Sequence, residues 1–219
     1  MDKNNNTMKT IDTVHVIIQR IIQPCFPCQL CGIDAQQSHS LCQQCWQQLP
    51  WLKDTILRQH RPIQIALNYT FPIDRIIQSY KYEQQLHFQN LLTQSLMSLN
   101  LSQVQAIVPM PISTERLRER GYNQMLIIAN RMAQQFNIPV WQPVLRLAQH
   151  SQKGLSRVER MQNIEQQFQI IKSERRKYRK VLIIDDVVTT GSSADALANA
   201  LEKLGCQHID IACIAAAQQ

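Results

Sequence analysis

A chain of 219 residues with 44% hydrophobic and 6% aromatic residues can fill the core of one α/β domain plus a small appendage, which excludes a disordered tail. Its formal net charge of +7 favours phosphate-bearing partners such as nucleotides, nucleic acid or anionic surfaces. No apolar run approaches the ~20 residues a membrane-spanning helix needs, and the polar opening MDKNNNTMKTID lacks a secretory leader pattern, so a cytoplasmic location is expected.

Taken in chain order, Ile11, Val14, Ile17, Ile18, Ile21 and Ile22 recur at helical spacing, predicting a short amphipathic helix that closes a first segment, residues 1–23. Pro24 ends it. Cys28-Gln-Leu-Cys31 and Cys42-Gln-Gln-Cys45 then form two C-x₂-C knuckles, the spacing of a tetrahedral four-thiolate site for a structural Zn²⁺. So short a segment needs a staple, and a reducing compartment disfavours disulfides. A metal-free knuckle and an iron–sulfur site are the alternatives, and Cys25 offers a second pairing with Cys28. With Trp46, Leu49 and Trp51 as a minimal core, the module is expected over residues 24–55.

From residue 60 to 219 strands alternate with helices, predicting an α/β domain with a mostly parallel sheet covered by helices on both faces. Strands or hairpin elements are expected at Ile63–Tyr69, Val104–Pro109, Val181–Val187 and Ile209–Ile214. Helices are expected at Ile73–Tyr80, Gln84–Leu99, Asn123–Phe136 and Ala194–Leu204, the last capped by Gly205. Between Leu145 and Phe168 the polar stretch AQHSQKGLSR predicts a mobile loop. Cys206 and Cys213 are expected to be small buried hydrophobes. His39, His60, His87 and His150 lack ligand spacing and are expected to be structural or surface residues.

The chemistry concentrates at Val181–Ser193, VLIIDDVVTTGSS. Val181, Leu182, Ile183 and Ile184 do not alternate with polar residues, so this strand is buried on both faces. Asp185 and Asp186 follow at its carboxyl edge, where open α/β sheets bind ligands. Thr189, Thr190, Gly191, Ser192 and Ser193 then lead into a helix, offering amides, hydroxyls and a positive dipole end to a phosphate. An N-capped helix accounts for this turn by itself. The adjacent acid pair favours a ligand, since paired carboxylates repel unless a cation or hydroxyls engage them.

This segment resembles the phosphoribosyl-pyrophosphate (PRPP) motif of type I phosphoribosyltransferases. The resemblance implies that Asp185 and Asp186 face ribose hydroxyls, that Thr189–Ser193 holds the 5′-phosphate, and that Mg²⁺ bridges ribose and pyrophosphate oxygens. Several purine-using members carry an aspartate where this chain has Thr189, which argues against a purine transferase.

More of the chain, from about Pro24 to Ala216, resembles the ComF/GntX family of competence-associated proteins, which join a cysteine-rich module to a phosphoribosyltransferase-like domain. SYKYEQQL at Ser79–Leu86, VPMPIS and RERGYNQ between Val108 and Gln124, and GLSRVERMQNI at Gly154–Ile164 carry the likeness. It selects Cys28, Cys31, Cys42 and Cys45 as the zinc ligands, with Gly32 after the second. It also places the VPMPIS loop at the pyrophosphate and brings Arg116, Arg118, Arg120 and Asn123 near it, guanidinium groups being suited to phosphate oxygens. Lys81 and Tyr82 add a cation and a ring. Gln152, Lys153, Ser156, Arg157 and Arg160 would sit on a loop that closes over substrate.

Three functions follow as expectations. One is a Mg²⁺-PRPP-dependent transferase. Another is a factor in DNA uptake, natural transformation or use of incoming DNA, binding single-stranded DNA through cationic tracts and rings such as Trp46, Trp51 and Tyr122. The last is a PRPP-sensing regulator or scaffold whose zinc module docks other competence or DNA-processing proteins.

Overall fold

The computed structural model describes residues 26–147, 168–171, 174 and 176–217. The predicted helix over Ile11–Ile22, Cys25, His150 and the expected substrate loop at Gln152–Arg160 lie outside the described residues. The chain divides into two compact units, Met1–Leu49 and Pro50–Gln219.

In the first unit a loop carries the first knuckle, and the second opens a short helix, α1 (Gln43–Gln47). Cys42 is its N-cap, the Sγ accepting from the Cys45 amide at 3.4 Å. Trp51 opens a strand of the second unit, β1 (Trp51–Arg58). It pairs antiparallel with β2 (Arg61–Asn68), from Trp51 opposite Leu67 to Arg58 opposite Arg61. Gln59 (φ 50°) and His60 (φ 62°) form the turn in left-handed backbone, the geometry of a two-residue hairpin.

The second unit follows as α2 (Ile73–Tyr82), α3 (Gln89–Met97), β3 (Ala106–Pro109), α4 (Thr114–Arg120), α5 (Gln124–Phe136), β4 (Val144–Arg146), β5 (Phe168–Ile170), β6 (Lys180–Val188), α6 (Ser192–Lys203) and β7 (His208–Ala216). The main sheet has the order β1-β2-β7-β6-β3, parallel except for the β1 edge. β4 and β5 make a separate antiparallel pair. Val181, Leu182, Ile183 and Ile184 at the centre are at most 1% exposed, as their unbroken apolar run requires; burying each contributes about 1.5–3 kcal/mol. α3 and α5 pack on each other, α3 on β2 and β7, and α5 on β3 and β6. α6 packs on β6 and β5.

The helix expected over Gln84–Leu99 begins later, at Gln89. Gln84 takes a left-handed φ of 55°, and Leu86–Phe88 form a 3-10 turn first. Asn123 caps α5, its Oδ1 accepting from the Met125 amide at 2.9 Å. Gly205 follows α6 at φ 97°, its amide bonded to the Glu202 carbonyl at 2.9 Å. Cys206 and Cys213 are both buried, as expected.

Candidate functional site

β3 ends with Pro109 opposite Ile184, so Asp185 and Asp186 lie on β6 beyond that neighbour, while β7 continues alongside to Ala216. Asp186 is only 8% exposed. Lys81 Nζ, from the last turn of α2, reaches its Oδ1 at 2.7 Å, and Gln124 Nε2, from the first turn of α5, donates to its Oδ2 at 2.9 Å. The repulsion expected of paired acids is thus answered on one side by a cation and an amide. Asp185 accepts from the Asp186 amide at 2.8 Å. Burial, and then the Asp186 charge beside it, push its carboxyl up to about 7 against the pull of that amide, Lys81 and Arg146.

After β6, Thr189 and Thr190 are exposed and Gly191 is buried at φ +78°. A Cβ on Gly191 would stand 2.5 Å from Arg58 Cβ, so only glycine fits both the turn and the space. Arg58 Nε donates to the Thr189 carbonyl at 3.1 Å, and Gln59 Nε2 to the Thr190 carbonyl at 3.4 Å. The β1–β2 turn therefore fixes the backbone of the phosphate-type turn. Arg61 ties the same hairpin to one face of α6, donating to Asp195 at 2.5 Å, Asn199 at 2.6 Å and Glu202 at 2.9 Å. The N-cap Gly191 offers no side-chain cap to α6; the Ser192 amide donates to Thr190 Oγ1 at 3.4 Å, and the Thr190 and Ser192 hydroxyls lie 3.0 Å apart at the helix entrance.

The predicted cations separate in the structure. Lys81 joins the acid pair. Arg116 is exposed on α4, while Arg120 is buried and turns to Tyr82, donating to its hydroxyl at 3.1 Å with the guanidinium 4.7 Å from the ring centroid. Tyr122 donates its hydroxyl to the Tyr80 carbonyl. Asn123 Nδ2 holds the VPMPIS loop through the Met110 carbonyl at 3.2 Å.

Sequence reasoning passed over Arg58, Gln59, Gln124 and Arg146. Arg146 Nη2 donates to Ser193 Oγ at 3.1 Å and Nη1 to the Pro111 carbonyl at 3.5 Å, joining the two loops at the sheet edge. It also lines a cleft of about 620 Å³ with Pro111, Tyr122, Asn123 and Asn130 among its walls. Gln124 was legible only as the residue after Asn123 in RERGYNQ, and Arg146 had no signal, lying where no core pattern appears.

In the first unit the sulfur atoms of Cys28, Cys31, Cys42 and Cys45 all lie within 4.8 Å of one another. Thiolates at about 2.3 Å from a tetrahedral centre are about 3.8 Å apart, and Cys31 Sγ to Cys42 Sγ is 3.9 Å. The amides of Leu30 and Cys45 point at the sulfurs of Cys28 and Cys42, both at 3.4 Å. This donor set fits a metal ion. His39 stays apart, stacked on Trp46 with ring centroids 4.1 Å apart.

A buried parallel strand that delivers two acids and a Thr-Thr-Gly-Ser-Ser turn to a sheet edge defines a type I phosphoribosyltransferase-like domain, and the phosphoribosyl transferase domain model matches residues 125–219. Competence protein F of Haemophilus influenzae is 30% identical over 199 residues, 85% of this chain and 83% of that protein. Competence protein ComFC of Bacillus subtilis is 27% identical over 184 residues, 81% and 72% of the two chains, and DNA utilization protein YhgH of Escherichia coli 26% over 199, 85% and 82%. With the cysteine module in place ahead of the domain, the chain belongs to the ComF/GntX family of competence protein F. Among the described residues no helix is long and apolar enough to cross a membrane.

Proposed function

We propose that this protein is a sugar-phosphate-binding member of the ComF/GntX family, acting in the cytoplasm in DNA uptake or the use of incoming DNA, with Mg²⁺-PRPP or a close relative as its ligand. The observation that carries this reading is the acid pair at the end of β6, with Lys81 and Gln124 on Asp186 and the Thr189–Ser193 turn immediately after it. Asp185 and Asp186 orient the ribose hydroxyls, the turn takes the 5′-phosphate, and Arg116 serves the pyrophosphate. Mg²⁺, bound with the ligand beside these two acids, would neutralise charge on the leaving pyrophosphate. Where transfer occurs, an acceptor nucleophile bonds to the anomeric carbon as pyrophosphate leaves, and the two acids favour the cationic transition state. Zn²⁺ on Cys28, Cys31, Cys42 and Cys45 holds the first unit together.

Mg²⁺-PRPP at millimolar concentration is expected to raise the thermal midpoint of the purified, zinc-replete protein, by mass action on the folded state. No rise at a concentration that protects a known phosphoribosyltransferase rejects the ligand.

Single-stranded DNA as a partner is supported by the net charge of +7 and by relatives named for competence and DNA utilization. Oligonucleotide affinity should fall steeply as salt rises, because phosphate contacts release counterions; an affinity flat in salt, or none, removes this partner.

A further inference from the structure

We propose that Arg146 is the phosphate-binding cation of this site, taking the 5′-phosphate of a ribose phosphate seated on the Thr189–Ser193 turn. The inference rests on the sugar-phosphate reading above and adds to it a residue that no sequence motif marks.

Arg146 is positioned from two sides. Its backbone bridges Ser113, at the start of α4, and pairs with Phe168 of β5, whose ring lies 5.6 Å from the guanidinium carbon. The side chain then spans from the Pro111 carbonyl to Ser193 Oγ, a hydroxyl of the turn itself. These two contacts engage part of a group that carries five N–H donors and no acceptor. Both partners are neutral. Among the described residues the ion pairs are Arg61 with Asp195 and Glu202, Lys81 with Asp186, and Arg176 with Glu174, and none involves Arg146.

A half-buried cation held by neutral acceptors gains when an anion joins it. Asp185 and Asp186 attract this guanidinium electrostatically without touching it, and Arg116 repels it. Arg146 also lines the cleft between the VPMPIS loop and α5, so the residue is open to an incoming group on that side. A phosphate on the turn would meet the Thr190 and Ser192 hydroxyls on one side and a planar donor fork on the other. Guanidinium suits that geometry better than ammonium.

The test is calorimetric titration of Mg²⁺-PRPP, ribose 5-phosphate and inorganic pyrophosphate into the full chain, the R146Q variant and the R146K variant, with unliganded thermal midpoints recorded in parallel. R146Q should bind ribose 5-phosphate and PRPP ten- to a hundredfold more weakly, R146K should recover part of the loss, and pyrophosphate affinity should stay within twofold. The unliganded midpoint of R146Q should not fall, since the half-buried charge it removes has no ion-pair partner. Unchanged ribose 5-phosphate affinity in R146Q overturns the assignment, as does a loss confined to pyrophosphate. Wild-type protein that binds none of the three ligands overturns instead the sugar-phosphate reading on which it rests.

Discussion

Lys81 and Asp186, 105 residues apart in the chain, meet at 2.7 Å with both side chains mostly withdrawn from solvent. The contact ties the last turn of α2 to the end of β6. Lys81→Met leaves the Asp186 carboxylate with Gln124 as its side-chain partner, and an uncompensated buried charge costs about 3 kcal/mol. Denaturant unfolding should show a loss of that order, with most of it recovered when Asp186→Asn is added. Equal, additive losses in the two single variants would mean that the pair is not coupled.

Gly191→Ala is expected to destabilise the protein by about 2 kcal/mol or more, combining an unfavourable backbone conformation with a clash. The added methyl meets Arg58 Cβ, not the end of a flexible chain, so the β1–β2 turn must shift and the Thr189 carbonyl loses its donor. Urea midpoints of the variant and the wild type check this.

The Asp185 carboxyl, pushed up to about 7, gives a pH signature. Between its unfolded value near 4 and its folded value the native state binds the extra proton, so its contribution to stability falls as pH rises across that window. Asp185→Asn removes this dependence. The variant should therefore gain stability relative to wild type at pH 8 and lose that advantage at pH 4, measured as the difference in unfolding midpoint. A difference constant with pH contradicts the assignment.

The cysteine cluster predicts one equivalent of tightly bound Zn²⁺ per chain, read by elemental analysis and by chromogenic release after thiol modification. Cys31→Ser and Cys42→Ser should each lower occupancy sharply, because each removes one of four ligands whose sulfur atoms lie within 4.8 Å. Full occupancy in both variants would place the metal elsewhere.

The elements that sequence made legible are those with strong periodicity or a motif. The predicted strand Val181–Val187 is observed as Lys180–Val188, and the predicted helix Asn123–Phe136 as Gln124–Phe136 with Asn123 as its cap. Four apolar residues in a row have no amphipathic alternative, so burial was decided locally. β1 was missed because WLKDTILR is an edge strand with weak alternation, and its turn, Gln59-His60, lacks the Asn-Gly signal that marks such hairpins. Missing that strand also hid Arg58 and Gln59 from the site. The surroundings of Arg120 were not legible either: its place among three arginines gave no sign that packing buries it against Tyr82. Arg146 was out of reach, because a strand as short as Val144–Arg146 carries no period and its partners come from distant loops.

The central claim, that the end of β6 and the turn after it form a ribose-phosphate site, is tested most directly by calorimetric titration of Mg²⁺-PRPP into wild type and into Asp185→Asn/Asp186→Asn, both confirmed folded. A saturable one-to-one heat in the wild type that disappears in the double variant is the predicted result. Equal binding by both proteins would contradict it, showing that the ligand sits somewhere other than on these two acids.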